Sequence, residues 1–490
     1  MMINLKIRCA VLLLAACATL SACKNAWQNH DVITNEALNI TLADQINKTP
    51  ELSTFNTYLV KTGYDKILAS TKSYTVWAPT NTAMQAIDPT ILTDTAKLRK
   101  FVANHISYQQ YFTTTPNPSL VIRTLSGKNI IFTSSTFEDA NIVTGNVYVM
   151  NGVLHTINQA AGTRPNAYEF MVSNFASGKQ NAFIQSLFHS EIDTSKGVKL
   201  YTDPVTKKNV YQAGTTFPVT KNYYFQRVSD ISSEDSLVTY IILNDAAFDA
   251  EKAKIGKYYN VSTSATISDS LTKFNILKDL VVNHVYSADN LPDSMITTSG
   301  IKIHLDKSAI IQTQKLSNGV AFVVNSIGYK LFSNKIPDIL IQGEFPDSLR
   351  TPSSPTIKIK KDPLNVRFTD IQSASITSSP DPLYFYRYKV TANSAQYKVY
   401  YRALNDIYTT PFNQKVDFGT ARRYPFAAET PLTTLGYQPV LVGNYAEVYL
   451  GTYTAANYGT LYTFLVSALG VTATTPSALS LDYIKLVPIN

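Results

Sequence analysis

The sequence contains very little cysteine. Among 490 residues there are three, Cys9, Cys17 and Cys23, and none follows. The rest of the chain can therefore form no disulfide, no cysteine-based zinc site and no thiol nucleophile. Without such cross-links its stability has to come from hydrophobic cores, and the chain is long enough to bury several.

Long apolar runs and runs of like charge are also missing. Beyond Cys23 no stretch approaches the roughly 18 consecutive apolar residues of a membrane-spanning helix. The formal net charge of +8 is spread along the chain, and the densest basic run is Lys358-Ile-Lys360-Lys361. This run is too short for a nucleic-acid surface, so we expect no nucleic-acid partner.

The N-terminus has the pattern of an export signal. Lys6 and Arg8 precede an apolar run of about a dozen residues, the size of a signal-peptide core. The run ends in LSAC at 20–23, which resembles the lipobox of bacterial lipoproteins, where the chain is cut before a cysteine that then carries lipid. This resemblance implies a signal peptide over 1–22, lipidation of Cys23, a tether over 23–33 and attachment to the outer membrane, on its extracellular face. The alternative is an ordinary secretory signal with a cysteine there by chance.

An internal repeat begins with a strand that runs into a helix. The segment TVWAPTNTAM at 75–84 corresponds to TYIILNDAAF at 239–248. Each is a short apolar strand that stops at a helix-capping residue, Thr80 or Asn81 in the first copy and Asn244 or Asp245 in the second. We expect the apolar residue in the first helical turn of each copy to face inward.

Two further segments follow in the same order. LRKFVANHI at 98–106 pairs with LKDLVVNHV at 277–285, which predicts a helix end in both and places His105 and His284 at matching positions. NVYVMNGVLHTI at 146–157 pairs with VAFVVNSIGYKL at 320–331, which predicts strands around a turn at Asn151 and at Asn325. Tyr329 then stands where the first copy has a histidine. Three segments repeated in one order indicate a duplication.

The ordered set TVWAPTNTAM, LRKFVANHI and VYVMNGVLHTI resembles the fasciclin domain. The resemblance implies a mixed α/β domain over 34–162 and a divergent second one over 163–345, which lacks the proline and the closing glycine and carries an insertion near 190–225. In this pairing the structural motif residues are Thr80, Asn81, His105, Asn151, Gly152, His155, Asn244, His284 and Asn325.

The last part of the chain has the pattern of an all-β domain. A segment rich in Pro and Ser predicts a linker over 346–366, and a β-sandwich is expected over 367–490. Aromatic runs at 383–390 and 395–402 predict a hairpin, and further strands are expected near 443–450, 460–466 and 479–489. LSLDYIKLVPIN resembles the last strand of jelly-roll modules on Bacteroidetes surface lipoproteins. The expected fold class is α+β, with two tandem fasciclin-like mixed α/β domains followed by a jelly-roll-like β-sandwich.

Motifs for catalysis or for a metal are not evident. The six histidines show no metal-binding spacing, and GxSxG, P-loop and GxGxxG patterns are absent. We therefore predict no catalytic residue, no metal and no cofactor. For His105, His155 and His284 we favour buried, hydrogen-bonded imidazoles over catalytic or pH-sensing groups. Asp482 is expected on the solvent face of an edge strand.

Tyrosine is abundant, with 31 residues, and has two interpretations near the C-terminus. Tyr384, Tyr386 and Tyr388 share one face of a strand, where they can stack on sugars or, as we favour, form the half-buried rim of the sandwich. Tyr453 and Tyr458 lie in the glycine-flanked segment GTYTAANYG and are expected to be exposed and to contact a ligand.

These observations lead to a non-catalytic binding or adhesion lipoprotein with protein or polysaccharide partners, as the fasciclin resemblance implies. The alternative is an accessory subunit of a SusC/SusD-like TonB-dependent uptake complex for nutrients such as glycans. A stable complex predicts a large apolar patch on a fasciclin domain, whereas an independent adhesin predicts a polar surface with an aromatic platform. A glycoside hydrolase built on two scattered carboxylates is a remote third possibility.

Overall fold

A computed structural model describes residues 36–377, 384–419, 433–468 and 471–489. The signal peptide, Cys23 and the tether lie outside these residues and stay predictions. The chain divides into two compact units. One comprises residues up to Phe170 with Ser232–Ser236 and Lys315–Gly319, and the other comprises the remainder. No helix within the described ranges is long and apolar enough to cross a membrane.

The first mixed α/β domain packs helices against a seven-stranded sheet of order β2-β1-β7-β6-β5-β4-β3. Its helices are α1 (Leu42–Lys48), α2 (Ser53–Thr62), α3 (Tyr64–Leu68), α4 (Asn81–Met84), α5 (Pro89–Thr93) and α6 (Thr95–Asn104). Its strands are β1 (Tyr74–Pro79), β2 (Ile106–Tyr108), β3 (Ser119–Arg123), β4 (Asn129–Thr133), β5 (Thr136–Phe137), β6 (Ala140–Val149) and β7 (Gly152–Ile157). Phe55, Leu59 and Leu98 belong to the core under the helices, and Trp77 and Phe132 belong to a second cluster.

The predicted strand-to-helix segment is present in the first domain. All six residues of β1 are buried, and the Thr80 hydroxyl caps α4 by accepting from the Ala83 N–H at 3.2 Å. Met84 faces the core, as expected. Asn81 has a different task, because its amide donates to Pro50 O at 2.9 Å and its Oδ1 accepts from the Thr54 N–H at 2.9 Å. It therefore ties α4 to the start of α2.

Asn151 and Gly152 hold the closing hairpin of the first domain. Asn151 Oδ1 accepts from the Leu42 N–H at 2.8 Å, and its Nδ2 donates to Leu68 O at 2.7 Å. Gly152 pairs with Tyr74 where β7 runs parallel to β1. A Cβ at 152 would lie 2.1 Å from Tyr74 O, so no other residue fits there without moving the strand.

The second mixed α/β domain has a four-stranded sheet of order β13-β12-β17-β16. Its helices are α7 (Ala167–Asn174), α8 (Lys179–Ser186), α9 (Tyr223–Arg227), α10 (Asp245–Ile255) and α11 (Ala265–Leu277). Its strands are β8 (Phe188–Asp193), β9 (Lys199–Thr202), β10 (Asn209–Tyr211), β11 (Phe217–Asn222), β12 (Val238–Leu243), β13 (Val281–Val282), β14 (Met295–Ile296), β15 (Lys302–Ile303), β16 (Ile310–Leu316) and β17 (Gly319–Val324). Asn244 caps α10 through the Ala247 N–H at 2.8 Å, and Phe248 is buried, as expected.

The predicted match between His105 and His284 is wrong. In the first domain the Trp77 N–H donates to His105 O at 3.0 Å, and in the second the Ile241 N–H donates to Leu280 O at 2.8 Å. Leu280 is therefore the equivalent of His105. Helix α11 ends at Leu277 and a strand follows, so the predicted helix end over 277–285 is wrong as well. His284 lies further along the chain and is exposed.

The predicted role of Asn325 is also wrong, because Asn318 holds the closing segment of the second domain. Asn318 Oδ1 accepts from the Ala167 N–H at 2.9 Å, just as Asn151 accepts from the Leu42 N–H. The second copy therefore retains its Asn-Gly pair as Asn318-Gly319. The apolar run VAFVV is the strand after this turn, whereas the sequence comparison placed it before the turn. Asn325 is exposed at the strand's end.

The C-terminal domain is a β-sandwich built from three sheets. Their strand orders are β18-β30-β23-β27, β20-β21-β29 and β19-β22-β28-β24-β25, with β26 also paired to β24. The strands are β18 (Ile339–Gln342), β19 (Ser348–Arg350), β20 (Thr356–Lys361), β21 (Arg367–Ile376), β22 (Phe385–Ala392), β23 (Gln396–Arg402), β24 (Phe412–Gly419), β25 (Thr433–Thr434), β26 (Gln438–Val440), β27 (Val448–Thr454), β28 (Gly459–Ser467), β29 (Ser477–Leu481) and β30 (Tyr483–Ile489).

Two predictions about the sandwich need correction. The linker predicted over 346–366 contains β19 and β20, and β18 already belongs to a sandwich sheet, so the sandwich begins before residue 345. The two aromatic runs are strands β22 and β23, but they lie in different sheets and form no hairpin. Tyr386 and Tyr388 are buried between the sheets, which agrees with packing rather than sugar stacking, although they lie in the core and not at the predicted half-buried rim.

Candidate functional site

The first unit contains an open groove of about 520 Å³ whose walls carry tyrosine and arginine. We call it the Tyr–Arg groove and define it by Tyr64, Arg99, Tyr108, Tyr111 and Arg123. These side chains come from the start of α3, the middle of α6, the end of β2, the loop after it and the end of β3. The fold thus assembles the groove from segments far apart in the sequence.

One wall of the groove is a cation–π pair. The Arg99 guanidinium lies 5.0 Å from the centre of the Tyr64 ring and donates to Thr62 O at 2.8 Å. Burial raises the pKa of the Tyr64 hydroxyl, against the opposing effect of Arg99. The Tyr64 ring and the Thr62 carbonyl thus position the guanidinium, and Arg99 stays exposed, so that its other donors can reach the solvent.

The other wall is aromatic and rests on buried rings. Tyr108 is 57% exposed and packs on Tyr74, with ring centres 5.6 Å apart. Tyr111 stacks on the buried Trp77 at 6.2 Å. Between them Gln109 has a left-handed backbone, with φ of 71°, which few residues other than glycine adopt. Such a conformation needs support from its surroundings and is frequent at binding sites.

A second arginine, Arg123, lines the groove and forms an ion pair. Arg123 pairs with Asp235 at 2.9 Å, in the segment Ser232–Ser236 of the same unit, and its Nε donates to Asn129 Oδ1 at 3.3 Å. An acceptor carboxylate therefore lies beside this arginine, next to the residues that line the groove. Sequence analysis missed it, and its only local signal was the aromatic cluster SYQQYF at 107–112.

His105 and His155 do not face the groove. His105 is fully buried, donates from Nδ1 to Phe101 O at 2.9 Å and accepts at Nε2 from the Ala161 N–H at 3.1 Å. Burial lowers its pKa to about 4. His155 donates to Tyr111 O at 2.9 Å, and burial lowers its pKa too. Both are neutral structural imidazoles, as we favoured, whereas His284 is not buried.

The second domain buries an ion pair where the first has an amide. Ser126 Oγ donates to Asn104 Oδ1 at 3.1 Å, and in the equivalent turn Ser299 Oγ donates to Asp279 Oδ1. The ammonium of Lys335 lies 3.2 Å from the Asp279 carboxylate, and both side chains are almost fully buried. Burial lowers the pKa of Lys335, while the charge of Asp279 opposes this shift. The pair serves the packing of the turn.

The predicted exposure is wrong for Tyr453, which is buried, whereas Tyr458 is half-buried. Tyr453 is 7% exposed and stacks on Phe418 with ring centres 4.2 Å apart. Tyr458 packs on Tyr259 at 5.2 Å, and its N–H donates to Asn260 O at 2.7 Å. The loop that carries Tyr458 thus joins the sandwich to the second mixed domain within one unit. Packing on Phe418 explains the burial of Tyr453, and packing on the neighbouring domain explains the partial burial of Tyr458. Contact of these two tyrosines with a ligand stays a prediction.

Asp482 is buried and contradicts its predicted place on a solvent face. Its carboxylate pairs with Arg402 at 3.2 Å, and its N–H donates to Arg402 O at 2.9 Å. Burial raises its pKa to about 6, against the attraction of Arg402. In the part of the chain that the structure describes, no three His, Cys, Asp or Glu side chains are grouped to hold a metal ion.

Comparison with known proteins identifies one domain. The sequence profile of the fasciclin domain matches residues 50–161. No curated protein matches the chain significantly. Among solved structures, a FAS1 domain pair from the insect cell adhesion molecule Fasciclin I is similar at 14% identity, over 57% of this chain and 97% of that one, with a TM-score of 0.23.

Two carbohydrate-binding modules are also similar, over 31% of this chain and 99% of each module. They are the CBM22-2 xylan-binding domain from Paenibacillus barcinonensis Xyn10C, at 9% identity and a TM-score of 0.24, and the CBM36-1 domain of a multidomain xylanase from the hindgut metagenome of Trinervitermes trinervoides, at 11% and 0.21. Likeness at this level does not identify a ligand. The profile match over 50–161 does identify a fasciclin domain, a non-catalytic module associated with adhesion, in this part of the chain.

Proposed function

We propose that this chain is a non-catalytic, lipid-anchored binding protein of the outer-membrane surface that holds a polysaccharide in the Tyr–Arg groove. The observation that carries the proposal is the convergence of three tyrosine rings and two guanidinium groups in one open groove. The N-terminal lipobox pattern supports the anchor and the location.

The chemistry of the groove suits a sugar chain. A sugar ring has faces of C–H groups, which pack on the exposed face of Tyr108, and a rim of hydroxyls. Arg99 offers donors to those hydroxyls, while Asp235 beside Arg123 offers acceptors. An open groove of this volume admits a chain that continues at both ends, as adhesion to a polymer requires.

Binding of purified full-length protein to a polysaccharide panel tests the proposal, followed by calorimetry on the best ligand. We expect Tyr108→Ala to weaken binding about tenfold or more, because one stacking ring is lost. Tyr148→Ala is the matched control, since Tyr148 is 50% exposed on the same domain but lies outside the groove. Equal affinities of both variants, or no polysaccharide ligand, would overturn the proposal, and released sugar products would point to a hydrolase.

A second candidate function is an accessory subunit of a TonB-dependent uptake complex. The observation that favours it is a set of large apolar side chains left in water on residues 188–222 of the second fasciclin-like domain. An exposed apolar surface of this kind is typical of a protein that is covered by a partner.

A further inference from the structure

We propose that residues 188–222 form an arm whose exposed apolar side chains and lysines dock onto a partner protein, and that the partner presents an apolar surface rimmed by acidic side chains. This inference deepens the second candidate function and does not depend on the Tyr–Arg groove. The arm comprises β8 to β11 and replaces a very short connection. In the first domain α2 passes to α3 through Gly63, whereas in the second the whole arm stands between α8 and α9.

The strands of the arm belong to no larger sheet. Strand β8 pairs with β11, strand β9 pairs with β10, and each pair forms a separate two-stranded sheet. An isolated two-stranded ribbon is only marginally stable in water. Six large apolar side chains on it are nevertheless between 50% and 87% exposed: Ile192, Val198, Leu200, Tyr201, Val205 and Phe217.

The apex of the arm is the turn at residues 203–207, and this turn leaves one of the six side chains exposed to solvent. Asp203 Oδ1 accepts from the Val205 N–H at 2.8 Å and the Thr206 N–H at 2.7 Å. Its backbone closes the turn, because the Lys207 N–H donates to Asp203 O at 2.9 Å. The turn is thus ordered by its own hydrogen bonds and presents Val205 outward, with 87% of the residue exposed. These bonds also lower the pKa of Asp203.

The charge of the arm selects an acidic partner. Its three acidic side chains are hydrogen-bonded within or next to the arm. Glu191 accepts from His189 and Gln226. Asp193 accepts from the Ser195 N–H, and Asp203 closes the turn at the apex. Its five lysines form no ion pair with any described residue: Lys196, Lys199, Lys207, Lys208 and Lys221. A protein surface with acidic side chains around an apolar centre complements this arrangement.

Other occupants fit less well. The exposed apolar residues run from Ile192 and Phe217, at the end of the β8–β11 pair that lies away from α8 and α9, to Val205 at the apex. A bilayer would cover the apex alone. Contact between the arms of two copies would bring like-charged lysines together. A partner protein can cover the whole length of the arm.

Site-specific photo-crosslinking in the source cells tests the inference. Benzoylphenylalanine is placed in the full chain at position 205 and, as control, at position 143, because Val143 is also strongly exposed but lies on β6. We expect position 205 to attach to one protein, through a peptide that contains Asp or Glu, and position 143 to give no such product. A product with a second copy, a product with lipid, or equal products at both positions would overturn the inference.

Affinity measurements with the purified partner complete the test. Val205→Ser and Leu200→Ser should each weaken binding about tenfold, and K207E/K208E should weaken it about tenfold and reduce its salt dependence. The matched control K66E/K72E changes exposed lysines of the first domain and should bind as the parent does. Unchanged affinity of the arm variants, or flotation of the protein with phosphatidylglycerol vesicles in place of partner binding, would contradict docking onto a protein. If the partner is not a transporter, docking through the arm is still supported, and only the second candidate function, as an accessory subunit of an uptake complex, is contradicted.

Discussion

His105 is a neutral imidazole in a closed site, and it makes the first domain sensitive to acid. Its pKa is about 4 in the folded protein against 6.5 in the unfolded chain, so the unfolded state binds more protons between these values. Stability should be constant above pH 6.5 and fall as the pH drops towards 4, by up to about 3 kcal/mol. His155 should add to this slope, since its pKa is lowered as well.

Urea unfolding at pH 7 and pH 5 measures this effect. Fluorescence of the buried Trp77 reports on the first domain, in a Trp27→Phe background that removes the other tryptophan. His105→Gln cannot titrate at this position and should show a smaller loss between the two pH values. An unchanged loss in this variant would assign the slope to other groups.

The two asparagines near the end of the second domain provide a residue-scale test of the repeat alignment. Asn318→Ala should destabilise the protein by about 2–4 kcal/mol, because the buried Ala167 N–H and Ser233 O lose their partner. Asn325→Ala should change stability by less than about 0.5 kcal/mol, since Asn325 is exposed. Denaturant titrations of both variants decide the matter, and similar costs would restore the alignment that the structure overturns.

At the scale of elements, the turn after Ser299 depends on the buried pair of Asp279 and Lys335. Lys335→Met should cost about 3–5 kcal/mol, because it leaves a buried carboxylate without its cation. Asp279→Asn combined with Lys335→Met should cost much less, since Asn104 performs the same task in the first domain without a cation. A double-mutant cycle by urea unfolding measures the coupling, and additive costs would show that the pair does not act as a unit.

Elements with a local signal were predictable from the sequence. The strand-to-helix segments at 75–84 and 239–248 were found because strand burial and helix capping are set by neighbouring residues. The insertion near 190–225 was also found and corresponds to the arm. The Asn-His pairs misled the alignment, because Asn104 and His105 lie at the end of α6, whereas Asn283 and His284 lie beyond the end of α11 at Leu277.

Features that depend on long-range packing were not predictable. The Tyr–Arg groove joins residues from α3, α6, β2 and β3, and no periodicity connects them. Tyr458 looked exposed because glycines flank it, yet it packs on Tyr259. Similarly, the Pro- and Ser-rich segment before residue 356 suggested a linker, although it only separates two short strands of the sandwich.

At the scale of the whole molecule, the predicted lipid anchor at Cys23 determines where the protein acts. Cys23→Ser should release the protein from the membrane fraction into the soluble fraction, because the lipid-bearing thiol is lost. Cys17→Ser is the matched control, since this cysteine lies in the predicted signal peptide and should leave attachment unchanged. Fractionation and intact-mass analysis check both variants. Attachment that survives Cys23→Ser would exclude lipidation at this residue as the anchor.

The last strand of the chain has a consequence for biosynthesis. Strand β30 is an inner strand, paired with β18 on one side and β23 on the other. The sheet therefore cannot close until β30 has been synthesised, and a nascent chain that stops before this strand would present two open strand edges. Synthesis of β30 thus marks the point at which the sandwich hides these edges from proteases and from other unfinished chains.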